Sequence, residues 1–332
     1  MSKKVVGMIT SYEGLSQGDW LWKQTPQPFG VWKDIQILRN APNPDFLLLY
    51  QYNFFQSAAT SRRNRLLSNP LGILNPFQTS NQPQPAAALE SSAPDLRGIA
   101  KERAIYLLRE PPLPEILQKN QANYLAAQDY CGYVSGPDDS APTPDYMPAI
   151  WYVSNTFEEL DKGRVPDKLR ACSWITSGIN RTENHRKRLD FLHQLQQTPG
   201  VQIDVFGRNL PATVQTIGEL QNKWYGMAPY YYNLAIENYA DNHWYVSEKL
   251  WDALLCWCLP IYYGGPAADH LLPPDSFLRL PSLDEKGVAY IQEVTSTPEA
   301  WYAAKDAIAE ARQIILHKLN LLNWLSEFVE KF

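Results

Sequence analysis

The chain has 332 residues, of which 45% are hydrophobic and 20% charged, a composition that is typical of a globular protein and excludes an intrinsically disordered one. Its length exceeds that of one ordinary hydrophobic core and predicts two domains. The net charge of −5 disfavours nucleic acid as a partner, because nucleic-acid-binding proteins are usually basic, but it leaves room for a local basic pocket.

Short apolar runs separated by helix-length spacers predict an α/β sheet in the first half of the chain. The predicted strands cover residues 4–9, 45–53 and 103–112. The apolar run at the start is too short for a signal peptide or a spanning helix, and no later run is long enough either. We therefore expect no integral membrane segment.

Three polar segments of the first half predict irregular structure. Residues 68–94 are rich in Pro, Ser, Asn and Gln, a composition that predicts either a long surface loop or a partly disordered insertion. The adjacent aspartates in residues 137–140 have the wrong spacing for an Asp-x-Asp metal site, and their context favours a turn. The charged, proline-containing residues 158–170 predict the linker between the two halves.

The second half alternates strands and helices more regularly. Strands are predicted over residues 171–180, 201–207, 230–238 and 259–266, and helices over residues 181–197 and 247–258. This order predicts a doubly wound parallel sheet. Residues 298–332 predict a long helical stretch with one apolar face that packs on the body. That face consists of Leu319, Leu322, Leu325, Val329 and Phe332.

Several motifs of common enzyme classes are missing from the chain. No GxGxxG follows the first predicted strand, and no P-loop, GxSxG or HExxH motif occurs, so nicotinamide and P-loop chemistry are disfavoured. The four cysteines form no CxxC pair, and no histidine spacing indicates zinc. Cys256 and Cys258 lie in an apolar run, so we expect buried, reduced thiols.

Two polar pairs point to a ligand site in the second half. Glu237 and Asn238 follow a predicted strand directly, and ligands of doubly wound sheets bind at the carboxyl ends of strands. Ser247 is a suitable N-cap, which places Glu248 and Lys249 in the first turn of a helix. Because a helix N-terminus attracts anions, this end of the sheet is a candidate diphosphate site.

Plainer interpretations of these residues remain open. Lys249 taken alone is more simply a solvated lysine. Arg186 or Arg188, on the helix after the preceding strand, has the position to reach the same crevice, but a solvated basic helix face is an equal alternative.

The region around these pairs resembles the signature of family 10 glycosyltransferases, the α-1,3/4-fucosyltransferases. The matching residues are Glu237-Asn238, Tyr245-Val246, Glu248-Lys249-Leu250, Pro260-Ile261, Pro266 and the PPDSF run at residues 273–277. Upstream, the DVFGR run at residues 204–208 and the spacing of Arg188, Phe191 and Leu195 are also similar to the family pattern. The chain departs from it at Tyr239, where Ser is usual, and at Ser247, where Thr is usual. The resemblance covers about residues 171–280.

The resemblance implies a GT-B-like α/β fold, with two Rossmann-like domains facing across a cleft. Residues 1–165 would bind the acceptor, residues 166–310 the nucleotide-sugar donor, and residues 311–332 would form a helix packing back on the first domain. The implied reaction is the inverting transfer of L-fucose from GDP-fucose to a glycan hydroxyl, with an α-1,3 linkage. The alternatives are another donor, such as GDP-mannose, or a non-catalytic glycan-binding protein.

The resemblance also implies roles for individual residues. The family base is the Glu of an ESP motif, which Glu110 matches with Pro111 replacing Ser, and Glu115 is the alternative. Without the resemblance, Glu110 reads as the end of a strand in a proline turn. Glu237 would stabilise positive charge at the anomeric carbon. The donor-binding residues would be Arg188 and Lys249 for the diphosphate, Glu248 for the ribose, and Asn238 and Tyr245 for phosphate or sugar.

Cofactor and location follow from the same comparison. No metal is required for this chemistry, although a stimulatory divalent ion is left open. The expected partners are a nucleotide sugar and a glycan acceptor, without nucleic acid. Because the chain has no N-terminal membrane anchor, we expect a cytoplasmic enzyme, with peripheral membrane attachment left open.

Overall fold

The computed structural model describes residues 3–11, 20–56, 90–91 and 93–332, which form two α/β units. In the first unit the strands are β1 (Lys4–Ile9), β2 (Val31–Trp32), β3 (Ile35–Ile37), β4 (Phe46–Tyr50), β5 (Phe55–Gln56), β6 (Glu90–Ser91), β7 (Ala104–Leu107), β8 (Tyr133–Gly136) and β9 (Thr143–Pro144). In the second they are β10 (Arg170–Ser177), β11 (Asp204–Arg208), β12 (Tyr230–Ile236), β13 (Leu259–Tyr263) and β14 (Leu278–Arg279).

The helices complete both units. They are α1 (Leu117–Tyr130), α2 (Phe157–Lys162), α3 (Glu183–Gln197), α4 (Glu248–Leu255), α5 (Ala267–Leu271), α6 (Glu285–Thr295), α7 (Glu299–Gln313) and α8 (Leu321–Val329). Short 3₁₀ helices cover Trp20–Gln24, Lys101–Arg103 and Lys223–Gly226, and a π-helical turn covers Ile314–Lys318.

The first sheet has the strand order β2-β3-β1-β4-β7-β8-β9 and is parallel except for the β2–β3 pair. Its central strand β4, with the sequence FLLLY, is buried along its whole length. Continuous burial is what a parallel strand requires, because both faces of such a sheet are covered. The strands predicted at residues 4–9, 45–53 and 103–112 are confirmed, with the last two shortened to their apolar centres.

The second sheet is parallel throughout, in the order β11-β10-β12-β13-β14. From β10 the chain adds β11 on one side and then β12, β13 and β14 on the other. This change of direction is the topology of a doubly wound sheet, as predicted. The predicted helices are confirmed as α3 and α4. Cys256 and Cys258 are buried free thiols, as expected.

The two sheets turn the carboxyl ends of their strands toward each other. Tyr50 at the end of β4 and Glu110 beyond β7 line the same cavity as Arg208 at the end of β11. The predicted GT-B-like architecture, with two α/β units facing across a cleft, is therefore confirmed.

The connecting and inserted segments differ in part from expectation. The predicted linker at residues 158–170 begins as α2, which has a capping box between Thr156 and Glu159 and buries Leu160. The predicted turn at residues 137–140 is confirmed, and the Asp138 carboxylate accepts hydrogen bonds from the Ser140 backbone and the Tyr124 hydroxyl. Of the predicted insertion at residues 68–94, residues 68–89 and 92 lie outside the described residues.

The single long helical stretch predicted for residues 298–332 is wrong. The helix ends in the π-helical turn, and the chain then extends through Asn320 before α8 begins. The reason is tertiary: the Ala149 backbone N–H donates to Leu319 O (2.6 Å), and Ala149 O accepts from Leu321 N–H (3.0 Å). These bonds replace helical ones at the break.

Helix α8 lies against the sheet of the first unit. The Trp32 indole N–H donates to Asn323 Oδ1 (3.3 Å), and the ring of Phe332, just beyond the helix, meets Phe46 edge-on with 5.6 Å between centroids. Within the described residues, no helix has both the length and the apolar character needed to cross a membrane.

We expect Asn320→Ala to lower the free energy of unfolding by about 2–3 kcal/mol, as a sum of a lost N-cap and unsatisfied buried carbonyls. The Asn320 amide is fully buried, donates to Gln24 O (2.9 Å) and Leu316 O (3.1 Å), and accepts from Leu322 N–H (2.8 Å). Urea unfolding measures the loss. The exposed Lys305→Ala variant on α7 should stay within about 0.5 kcal/mol of wild type; equal values for both variants would contradict the prediction.

Candidate active site

Two adjoining cavities lie between the units and together form what we call the cleft. The first, of about 490 Å³, is lined from the first unit by Tyr50, Gln51, Arg109, Glu110 and Pro111. The second, of about 410 Å³, lies over the carboxyl ends of β10 and β12 and includes Arg188. Both cavities are lined by Tyr152, Arg208, Lys223, Glu248 and Lys249. The cleft walls therefore carry more cations than carboxylates, which suits an anionic ligand.

The N-terminus of α4 opens into the cleft. Ser247 is its N-cap, and the Ser247 hydroxyl oxygen accepts from the Lys249 backbone N–H (3.4 Å). The helix dipole and the Lys249 ammonium present positive charge at the same place. The sequence predicted that Lys249 lies at a helix N-terminus and faces a crevice. Its position in the first turn of α4 and in the lining of both cavities agrees with that prediction.

Glu237 lies behind Lys249 rather than on the cleft wall. The residue is 2% exposed, and its carboxylate accepts from the Ser247 backbone N–H (2.8 Å), the Ser247 hydroxyl (2.7 Å) and the Lys249 ammonium (3.2 Å). Both oxygens are thus engaged within the protein, and the residue does not line either cavity. This geometry supports a positioning role for Glu237, and its predicted contact with the sugar stays a prediction.

Arg188 reaches the cleft because of its place on α3. It shares the buried face of that helix with Phe191, Leu192 and Leu195, so its side chain is directed inward. Its guanidinium donates to Asn238 Oδ1 (3.0 Å) and to the carbonyls of Ser177 (2.8 Å) and Ile179 (3.2 Å). Burial lowers the pKa of Arg188 to about 10, so it remains a cation at neutral pH.

The structure decides between the two arginines considered for the crevice. Arg188 lines the same cavity as Lys249, with its buried Nε lacking a hydrogen-bond partner. Arg186 is exposed and donates to Asn180 O (3.3 Å), outside both cavities. Arg188 and Lys249 therefore share one hollow.

Glu248 remains ionised among these cations. Burial acts to raise its pKa, but Lys249, Lys223 and Arg109 outweigh burial and lower the pKa to about 2. Its carboxylate lies 3.8 Å from the Lys249 ammonium. A permanent carboxylate in a cationic cleft can accept hydrogen bonds from ligand hydroxyls but cannot act as an acid near neutral pH.

Glu110 belongs to the first unit and lines the first cavity together with Glu248. Burial, followed by the charge of Glu248, raises the pKa of the Glu110 carboxyl above its ordinary value of 4.5. Its Oε1 accepts from the Gln51 amide (3.3 Å), and Gln51 Oε1 in turn accepts from the Arg109 backbone N–H (2.6 Å). A half-buried carboxyl with a raised pKa at a cleft has the properties of a general base. Glu115 is exposed and outside both cavities.

Tyr245 lies in the cleft beside Tyr239. Its side chain is 6% exposed and lines the first cavity, and its ring centroid is 6.3 Å from that of Tyr239. Burial raises the pKa of Tyr245 well above the usual range, so its hydroxyl stays protonated. Tyr239 stands where family 10 sequences usually have Ser, and its ring therefore packs near Tyr245, a candidate ligand-binding residue.

Sequence reasoning missed several charged residues of the cleft. Arg109 donates to the Tyr50 hydroxyl (2.8 Å), Arg208 ends β11, and the Lys223 ammonium pairs with Asp252 (2.6 Å). Arg109 and Arg208 could have been found, because each stands at the carboxyl end of a predicted strand. Lys223 begins a short 3₁₀ helix before β12 that no sequence motif marks, so only the folded structure shows that it lines the cleft.

Among the described residues, no group of three or more His, Cys, Asp and Glu side chains is arranged to hold a metal ion. The candidate ligands of an anion are side-chain cations such as Lys249 and Arg188 and the amides of α4. The effect of a divalent ion on the reaction stays a prediction.

Comparison with known proteins gives a family match and several structural likenesses. Residues 165–303 match the family described as glycosyltransferase family 10 (fucosyltransferase), C-terminal. A solved α1,3-fucosyltransferase with GDP-fucose is 16% identical, over 99% of this chain and 90% of that one, with a TM-score of 0.45. The α1,3-fucosyltransferase with GDP is 14% identical, over 96% and 91%, with a TM-score of 0.47. T4 phage β-glucosyltransferase is 12% identical, over 99% and 96%, with a TM-score of 0.47.

The GT-B-like units and the cationic cleft between them belong to a glycosyltransferase. Residues 165–303, which include α3, α4 and the strands that end at the cleft, match the model of the family 10 fucosyltransferase C-terminal region. The glycosyltransferase class depends on this sequence match rather than on the structural likenesses. The resemblance predicted for residues 171–280 is confirmed and extends beyond them.

Proposed function

We propose that the protein transfers L-fucose from GDP-fucose to a hydroxyl of a glycan, with inversion at the anomeric carbon and an α-1,3 linkage. The observation that carries the proposal is that Glu110 of the first unit lines the same cavity as Lys249 at the N-terminus of α4. A candidate base and a candidate diphosphate site thus lie on opposite walls of one cleft, in a chain with a family 10 domain.

In the proposed reaction the acceptor hydroxyl oxygen attacks the anomeric carbon while the bond to the β-phosphate oxygen breaks. Glu110 takes the hydroxyl proton, and GDP leaves with the bonding electron pair. Lys249, Arg188 and the amides of α4 stabilise the growing charge on the diphosphate. Fixed positive groups of this kind commonly contribute several kcal/mol to transition-state stabilisation, about 3 kcal/mol for one donor.

We assign the remaining roles on the same basis. Glu248 accepts from the ribose hydroxyls, and Asn238 and Tyr245 contact phosphate or sugar. Residues 1–165 bind the acceptor and residues 166–310 the donor, with residues 311–332 as a C-terminal extension. The contact between α8 and the first sheet supports this division. The cytoplasmic location expected from the sequence stays a prediction.

A nucleotide screen tests the donor assignment. We expect GDP to raise the melting temperature more than UDP or ADP, since a ligand at 100 times its Kd adds about 2.7 kcal/mol to the folded state. GDP-fucose should then be hydrolysed faster than GDP-mannose, measured by GDP release. Stabilisation by uridine nucleotides alone would overturn the guanosine assignment.

The same experiment separates the two alternatives. Faster release of GDP from GDP-mannose would identify another donor for the same chemistry. Glycan binding by the wild type without turnover of any nucleotide sugar would indicate a non-catalytic glycan-binding protein.

A further inference from the structure

Asp252 is a fully buried carboxylate with two defined partners. It lies on α4, one turn after Glu248, and its side chain is 0% exposed. Its Oδ2 accepts from the Lys223 ammonium (2.6 Å), and its Oδ1 accepts from the Tyr152 backbone N–H (2.8 Å). An isolated carboxylate at this depth would be strongly unfavourable, so the ion pair with Lys223 is what permits it.

Lys223 lies where the two cavities meet. It begins the 3₁₀ helix Lys223–Gly226, whose N-cap Asn222 also accepts from the Ser154 backbone N–H (2.9 Å). Its side chain is 27% exposed and lines both cavities, and its ammonium stands 5.4 Å from the centroid of the Tyr152 ring. An ammonium has three donors, of which Asp252 accepts one, so the group can contact a ligand without leaving its anchor.

We propose that Asp252 is a positioning residue that holds the Lys223 ammonium in the cleft, where it contacts the diphosphate of the bound nucleotide. The inference rests on the proposed function, since it requires an anion between the two units. An ion pair that only stabilised the fold would bury the cation together with its carboxylate. Here the Asp252 carboxylate is buried, but the Lys223 ammonium faces both cavities.

Electrostatics around Lys223 is consistent with this role. Burial acts to lower its pKa, but Asp252 and then Glu248 outweigh burial and raise the pKa, against the opposing charge of Lys249. The other charged side chains that share the second cavity with Lys223 are Arg208, Arg188 and Glu219. Removing the Asp252 charge is therefore expected to lower the pKa of Lys223 and to leave its ammonium without a fixed direction.

Calorimetric binding of inorganic pyrophosphate and of GDP tests the proposal. Lys223→Met removes the cation, and Asp252→Asn keeps the shape and the Oδ1 acceptor for Tyr152 but removes the charge. We expect each variant to weaken binding about 10- to 100-fold, the size of one hydrogen bond to a charged group. In the double variant the second substitution should weaken binding by less than about a further twofold, because both substitutions act through the same contact between Lys223 and the diphosphate.

A pH profile separates positioning from general support of the fold. In Asp252→Asn the loss of pyrophosphate affinity at alkaline pH should begin at lower pH than in the wild type, and this shift should be missing in the Lys223→Met background. Lys162→Met, which removes an exposed lysine paired with Glu158, serves as the matched control and should bind as the wild type. A lower melting temperature for Asp252→Asn with unchanged affinity and pH profile would overturn the proposal.

Failure of the inference and failure of the proposed function give different results. If the wild type binds pyrophosphate but not GDP, the guanosine assignment fails while the Lys223 effect is still measured with pyrophosphate. If the wild type binds neither probe, the inference is overturned together with the anion site.

Discussion

We expect Glu110→Gln to lower kcat about 10²- to 10⁴-fold, the usual contribution of a general base, while GDP binds at least as tightly as to the wild type. The amide cannot take the proton of the acceptor hydroxyl, but it keeps the oxygen that accepts from Gln51 (3.3 Å). Steady-state turnover of GDP-fucose with an accepting glycan measures the first effect, and calorimetry with GDP measures the second. Loss of GDP binding together with kcat would place Glu110 in nucleotide binding instead.

The pH dependence of kcat has a defined sign. A base acts only when ionised, so kcat falls about tenfold per pH unit below the pKa of Glu110. Because burial and Glu248 raise that pKa above 4.5, the acid limb should lie at higher pH than for an ordinary carboxyl. The residual activity of Glu110→Gln should lack this limb. Glu115→Gln, which changes an exposed carboxyl outside the cleft, is the matched control and should keep it.

The second large effect is expected at Lys249. Replacement by Met should weaken GDP binding about 10- to 100-fold, because one charged contact to the diphosphate is lost. It should also lower the free energy of unfolding by about 2–4 kcal/mol, because the buried Glu237 carboxylate, 0% exposed at its side chain, loses its cation. Calorimetry and urea unfolding measure the two effects separately.

A double variant separates these two roles of Lys249. Adding Glu237→Gln to Lys249→Met removes the uncompensated charge, so most of the lost stability should return while GDP binding stays weak. The amide still accepts from the Ser247 backbone N–H through its oxygen. Recovery of GDP binding in the double variant would show that Lys249 acts only through the fold.

The sequence was most informative where local rules and tertiary structure agree. Ser247 before an apolar helix fixes the N-terminus of α4 and therefore puts Lys249 in the first turn of that helix. The helix over residues 181–197 was predicted, and the structure then shows that Arg188 shares its buried face with Leu195. The existence of the strands was also predictable, because continuous apolar runs such as that of β4 have few alternatives in an α/β protein, although the strands at 45–53 and 103–112 end earlier than predicted.

Features that depend on distant parts of the chain could not be predicted. Glu237 and Lys249 are twelve residues apart, and only the folded structure shows that the carboxylate of the one accepts from the ammonium of the other. Asp252 looks like an ordinary helical residue until Lys223, 29 positions away, is seen to pair with it. The break at Asn320 opposes a strongly helical local pattern, and it exists because Ala149 supplies backbone hydrogen bonds.

The chain passes between the two units twice, and the two passages are bonded to each other. The first passage includes Ala149, between β9 and α2, and the second runs from α7 through the π-helical turn to Asn320. Since the backbone of Ala149 holds both Leu319 and Leu321, the connections cannot slide independently. We therefore expect any relative motion of the two units to be a rotation about these joined connections, which would change the width of the cleft without sliding one unit along the other.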